Sequence, residues 1–276
     1  MQQTLKELCA IRGIAGAEGA VREYIYHKAS PFAEKLMQDS IGNLLVFKKG
    51  TKSSRGVALI CTHIDESGFR VQKIREDGTL VIDPVGDISS FSLIGSRVTV
   101  GESSISGVLA TEPPFRSDAE RSILPVNQLL LDIGVSDKKT VENMIEVGDP
   151  VTLNSEWKEL GNRKFKCRAL ESRIGCAVLL SLLSEPLPFD TWFAFTACYT
   201  IKANGAVGRG SSLAVARIRP QRILFVECRD AYDFEPVQPA DRNLSLGKGC
   251  AILIAERGSA YTRSLRKQLV KKADEQ

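Results

Sequence analysis

Two histidines occur among the 276 residues, and one of them lies two positions before an aspartate, in Cys61-Thr62-His63-Ile64-Asp65-Glu66-Ser67-Gly68-Phe69. The apolar run before it, Val57 to Cys61, reads as a strand, and open α/β sheets present ligands at the carboxyl ends of their strands. A His-x-Asp at such an end can set an imidazole nitrogen on a metal ion while the carboxylate orients the ring. The same residues also make an ordinary loop, with Asp65 bonded to backbone amides. His27, next to Lys28 on a helical stretch, reads as a surface residue. Val207-Gly208-Arg209-Gly210-Ser211 lacks the Lys-Ser/Thr of a phosphate loop and reads as a turn into a helix.

The elements that must position His63 follow from hydrophobic patterning. Residues 3 to 29 read as helical, with Leu5, Leu8 and Ile11 on one face and a break from Gly13 to Gly16. Asn43 to Phe47, Val57 to Cys61, Trp192 to Cys198, Ile223 to Glu227 and Ala251 to Ala255 read as strands. Several are continuously apolar, as in a mostly parallel sheet covered by helices on both faces. Arg173 to Leu183 predicts a buried helix and Tyr261 to Ala273 an amphipathic one. From Gly68 to about Cys167 the runs are short and punctuated: Phe69 to Ile74, Leu80 to Ile82, Arg97 to Val100, Ile105 to Ala110, Gln128 to Leu131 and Pro150 to Leu153. That pattern predicts a small β-barrel or sandwich, interrupted by a helix over Asp137 to Ile145 with Ser136 as its cap. The expected organisation is a discontinuous α/β domain, 1–67 and 166–276, with a β domain over 68–165 inserted between its second and third strands.

Composition narrows the function. The net charge of +4 is small, and Lys and Arg are scattered apart from the run Arg263 to Lys272, which reads as the solvated face of a helix; nucleic acid or an anionic membrane is not the expected partner. Lys6, Glu7 and Arg12 interrupt any apolar leader, and no segment reaches the roughly 20 apolar residues that span a bilayer. The seven cysteines are odd in number and mostly within apolar runs. They read as reduced thiols of a cytoplasmic protein.

Six segments, in order, resemble one family over almost the whole chain. They are Asp39 to Leu44, Thr62 to Phe69, Leu131 to Ser136, Val147 to Val151, Ala169 to Ala177 (Ala-Leu-Glu-Ser-Arg-Ile-Gly-Cys-Ala) and Leu246 to Ala251. The family is the glutamyl and deblocking aminopeptidases, metallopeptidase family 42, some of which have also been named endoglucanases. The resemblance implies a metallopeptidase-type α/β fold, an inserted β domain carrying dimer and oligomer contacts, and tetrahedral dodecamers. It also implies two zinc or cobalt ions that activate a water, with a glutamate as general base on a peptide N-terminus.

Position by position, the resemblance places His63 as a metal ligand and Asp65 as its orienting carboxylate. The bridging aspartate is matched by Glu171, a methylene longer, and its neighbour by Ser172. Thr200-Ile201-Lys202-Ala203-Asn204-Gly205-Ala206 stands where the family has its Glu-Glu pair, putting Ala203 at the base and Asn204 at a ligand. No Asp or Glu occurs from Thr191 to Phe225, so no shift of alignment restores the base. Glu227 matches a later aspartate ligand, and the family's last histidine ligand falls beyond Gln276. Glu171 could equally pair with Arg173 or cap its helix, and Glu227 could pair with Arg222 or Arg229. The expectation is an aminopeptidase homologue that is inactive or severely impaired. Its alternatives are a scaffold or subunit partner of an active paralogue, or a fragment of a longer active enzyme.

Overall fold

The computed structural model describes residues 1–52, 56–111, 125–161, 164–201, 208–231, 233, 244–256 and 259–275. By internal contacts the chain divides into Met1–Cys228 and Arg229–Gln276. The first unit opens with α1 (Gln2–Ala10), α2 (Gly19–Ala29), β1 (Lys35–Gln38), β2 (Leu44–Lys48) and β3 (Ala58–His63). It continues through β4 (Gly68–Ile74), β5 (Leu80–Val85), β6 (Arg97–Val100), β7 (Ile105–Ala110), β8 (Leu130–Asp132), α3 (Lys138–Glu142) and β9 (Pro150–Leu153). A hairpin of β10 (Lys158–Leu160) and β11 (Lys164–Lys166) leads to α4 (Leu170–Ser184), β12 (Thr191–Thr196), α5 (Arg209–Ile218) and β13 (Arg222–Phe225).

The main sheet has the order β1-β2-β12-β3-β13. β12, β3 and β13 are parallel, and β2 runs against both of its neighbours, so it alone is reversed in a mostly parallel sheet. Alternate residues go to opposite faces. Leu44, Val46, Phe193 and Phe195 join α1, α2 and α4 in one core; Leu45, Leu59, Cys61 and Ala194 join Ala214 of α5 in another. With both faces covered, continuous apolar runs are what these strands require.

The insertion is a closed barrel, β4-β5-β8-β7-β6-β9, around Phe69, Leu80, Ile82, Val98, Leu109, Leu131 and Val151. It leaves the sheet after the third strand, because β1 was not among the expected strands. β1 lies at the sheet edge and is only half-buried, so it has no apolar run to announce it. The cap of α3 is Asp137 and not Ser136: Asp137 is extended, and its carboxylate accepts from Thr140 N at 2.8 Å. A carboxylate at a helix N-terminus gains from the helix dipole as well as the hydrogen bond.

The second unit holds β14 (Ala255–Glu256), β15 (Ser259–Ala260) and α6 (Arg263–Asp274). The expected strand Ala251 to Ala255 is not one: only Ala255 and Glu256 pair, antiparallel, with Ser259 and Ala260. An apolar run becomes a buried strand only where a neighbour completes its ladder, and a two-residue hairpin gives it none. Among the described residues no helix is long and apolar enough to cross a membrane.

Candidate functional site

His63 ends β3, level with Thr196 at the end of the parallel β12. Its ring is buried and stacks on Tyr199, with centroids 4.3 Å apart at 20°. Nδ1 lies 3.0 Å from the main-chain oxygen of Asp65, and Nε2 lies 3.3 Å from Glu171 Oε1. Both neighbours are acceptors, so both contacts are hydrogen bonds only when the imidazole carries two protons. Burial pushes the His63 pKa down, but the hydrogen bond and charge of Glu171, and then Asp65, outweigh it and the net direction is upward.

Asp65 orients His63 through its backbone, while its carboxylate holds a different loop. Both oxygens are buried and accept from Tyr199 N at 3.0 Å, Thr200 N at 2.7 Å and Thr200 Oγ1 at 2.8 Å. The carboxylate itself stands 3.9 Å from His63 Nδ1. It thereby fixes Tyr199 against the imidazole.

Glu171 sits in the first turn of α4, where the helix dipole favours an anion. Ala169, which caps that helix, has φ +55°, as does Cys198 after β12. Non-glycine residues in this region cost of order 1 kcal/mol or more and persist where the surroundings hold them.

Arg173 does not pair with Glu171. Its guanidinium is fully buried and reaches the backbone oxygens of Leu8, Ile11 and Ile64, as well as Glu66 Oε1 at 3.3 Å. The same Glu66 oxygen accepts from Arg168 and, at 2.8 Å, from Gly13 N. Sequence reasoning missed this cluster. Its only local signal was an acidic residue directly after His-x-Asp and two arginines flanking Glu171. Gly68, two residues on, must be glycine, since a Cβ there would stand 2.4 Å from Ile14 Cγ2 and 2.7 Å from Val151 O.

Asn43, from the first resembling segment, ties the far side together. Its amide donates to Asp39 Oδ2 at 2.7 Å and Gly210 O at 2.8 Å, and its oxygen accepts from Ala197 N at 2.9 Å. It thus brackets the end of β12 against the start of α5.

The structure brings together His63, Asp65 and Glu171. Glu227 follows β13 on the other side of β3, where its charge adds to burial in pushing the Cys61 thiol up to about 12. Ala203 and Asn204 lie outside the described residues. Among the described residues no three of His, Cys, Asp and Glu form a group that could hold a metal ion. A zinc site takes three or four protein ligands; His63 Nε2 and Glu171 Oε1 are two. A dinuclear centre therefore does not fit the described residues.

A model of the M42 glutamyl aminopeptidase family matches residues 42–276. The chain belongs to this family. M42 proteins are metallopeptidases, which makes the donor set around His63 the feature to explain. A chain of Acetivibrio thermocellus bearing a provisional aminopeptidase name is 26% identical over 273 residues, covering 99% of this chain and 79% of that one. The structure of an aminopeptidase from the archaeon Desulfurococcus kamchatkensis superposes with a TM-score of 0.92 at 27% identity, over 99% of this chain and 76% of that one. Pyrococcus horikoshii TET1 peptidase, which can assemble into a tetrahedron or a large octahedral shell, gives a TM-score of 0.83 at 25% identity, over 98% and 79% of the two chains. The mixed α/β fold with its closed six-stranded barrel is thus the fold of M42 aminopeptidases.

Proposed function

We propose that this chain is an M42 aminopeptidase homologue in which hydrolysis of peptide N-termini is abolished or severely impaired, and which serves as a non-catalytic subunit or scaffold. The observation that carries this reading is the donor count at His63. Among the described residues Nε2 of the imidazole meets Glu171, Asp65 holds the Tyr199–Thr200 loop, Glu227 lies by Cys61, and no three of His, Cys, Asp and Glu form a metal-holding group. By the family resemblance Ala203 stands at the base and Asn204 at a ligand, and no Asp or Glu occurs between Thr191 and Phe225 to replace them. In this reading His63, Glu171 and Glu227 are remnants of a zinc or cobalt site.

The α/β domain, 1–67 and 166–276, then supplies the frame. The β domain, 68–165, supplies the contacts of a homo-oligomer. The tetrahedral and octahedral assemblies of TET1 peptidase support self-association.

The test is an assay of the purified full chain, with zinc or cobalt added, on glutamyl, leucyl and alanyl substrates. Loss of a general base alone removes roughly two to four orders of magnitude of rate. No metal-dependent release above background is expected. Robust turnover that disappears in His63→Ala would show the reading to be wrong.

A further inference from the structure

The turn that follows β12 is shaped by side chains from elsewhere in the chain. Four consecutive backbone amides each donate to one of them: Ala197 N to Asn43 Oδ1 at 2.9 Å, Cys198 N to Glu18 Oε1 at 3.1 Å, Tyr199 N to Asp65 Oδ1 at 3.0 Å and Thr200 N to Asp65 Oδ2 at 2.7 Å. The three acceptors lie just before β2, just before α2 and just after β3, and none is more than 4% exposed. Bound in this way, Cys198 adopts φ +55°, which its own side chain disfavours.

This turn delivers one ring. Tyr199 stacks on His63, and beside it runs the start of α5, where a Cβ on Gly208 would stand 3.7 Å from Tyr199 Cδ2. Tyr199 is half-buried, whereas His63 is 2% exposed. The phenol ring thus covers one face of a buried imidazole and itself reaches solvent. Both nitrogens of that imidazole already face Asp65 O and Glu171.

We propose that the Ala197–Thr200 turn is an autoinhibitory plug, in which the buried carboxylates of Glu18 and Asp65 hold Tyr199 over His63 and no ligand reaches the imidazole until the turn lifts. The proposal rests on the reading of an impaired site and adds a physical barrier to its missing donors. Glu18 is a positioning residue, acting through Cys198. Without its oxygen the Cys198 amide would lose its partner, and the disfavoured φ would lose what holds it.

The experiment treats the full chain with diethyl pyrocarbonate in mildly alkaline buffer and maps modification of the two histidines by mass spectrometry. His27, whose side chain is 70% exposed, is the internal reference. In the wild type His63 should react at least about tenfold more slowly than His27, because it reacts only through local opening. Tyr199→Ala should bring the two rates to within about threefold, while Tyr199→Phe, which keeps the ring, should stay protected. Glu18→Ala should speed His63 without changing His27. Glu18→Gln, whose amide oxygen still accepts, should behave as wild type. Tyr199→Ala leaves all four amide bonds in place, so the test stands even where Glu18→Ala fails to fold. A wild-type His63 as reactive as His27 overturns the proposal. So does a His63 that stays protected in Tyr199→Ala, or a folded Glu18→Ala that reacts as slowly as wild type. Peptide turnover would sink the impaired-site reading by itself, and these rates would still decide whether the plug exists.

Discussion

Arg173 carries its charge in complete burial 3.3 Å from Glu66, which is itself 4% exposed. Removing one partner of a buried pair leaves the other uncompensated and costs about 3 kcal/mol or more. Arg173→Met should therefore lower the urea midpoint accordingly, with Glu66→Gln nearly as damaging. The double variant should lose less than the sum of the two, since contacting residues couple. A loss below about 1 kcal/mol for Arg173→Met would mean that the backbone oxygens alone seat the guanidinium.

Metal content is the second expectation. Among the described residues no three of His, Cys, Asp and Glu form a metal-holding group, so the chain should retain less than one firmly bound transition metal after dialysis against zinc or cobalt. Elemental analysis decides this. Two equivalents retained would restore a dinuclear centre.

A third expectation concerns acid. Glu7 accepts from Tyr24 OH and from Gln3, and lies 3.2 Å from Lys28 Nζ. These contacts, Tyr24 foremost, lower its pKa from 4.5 to about 2. The folded pKa is depressed, so this contribution to stability is present above about 4.5 and is lost as pH falls towards 2. The difference in melting temperature between wild type and Glu7→Gln should shrink across that window. A difference that stays constant would show that the bonds do not discriminate between the two protonation states.

Assembly supplies the fourth. Val108 on β7 and Ile94, shortly before β6, are exposed apolar side chains on the barrel. Light scattering across a concentration series should show a dimer or larger species. Val108→Asp with Ile94→Asp should shift it towards monomer. A wild-type chain that is strictly monomeric at micromolar concentration argues against a scaffold.

The barrel strands were legible because their runs are short and punctuated by turn residues, and the sheet core because doubly buried strands are continuously apolar. β1 was illegible because an edge strand is recognised by its neighbour and not by its own residues. Ala251 to Ala255 misled for the converse reason: its own residues suit a strand, but among the described residues only its last, Ala255, is paired. At the site, His63 announced itself by type and spacing. The cluster beneath it did not, since Glu66 lies 102 and 107 residues from Arg168 and Arg173. The role of Asp65 was half legible: the residue is in place, but its carboxylate serves a loop more than 130 residues away.

The barrel leaves the sheet through Ile64 to Ser67 and returns through Cys167 to Ala169, and Glu66 grips both passages. On the way out Glu66 N donates to Gly13 O; on the way back its carboxylate accepts from Arg168 and Arg173. An inserted body usually swings about its two connecting strands, because nothing joins them to each other. Here both are moored to one side chain. Tilting the barrel would mean pulling a carboxylate away from two guanidinium groups inside the protein. Its slow breathing should accordingly be coupled to global unfolding, with the amides of Gly13 and Glu66 exchanging as slowly as those of the core strands.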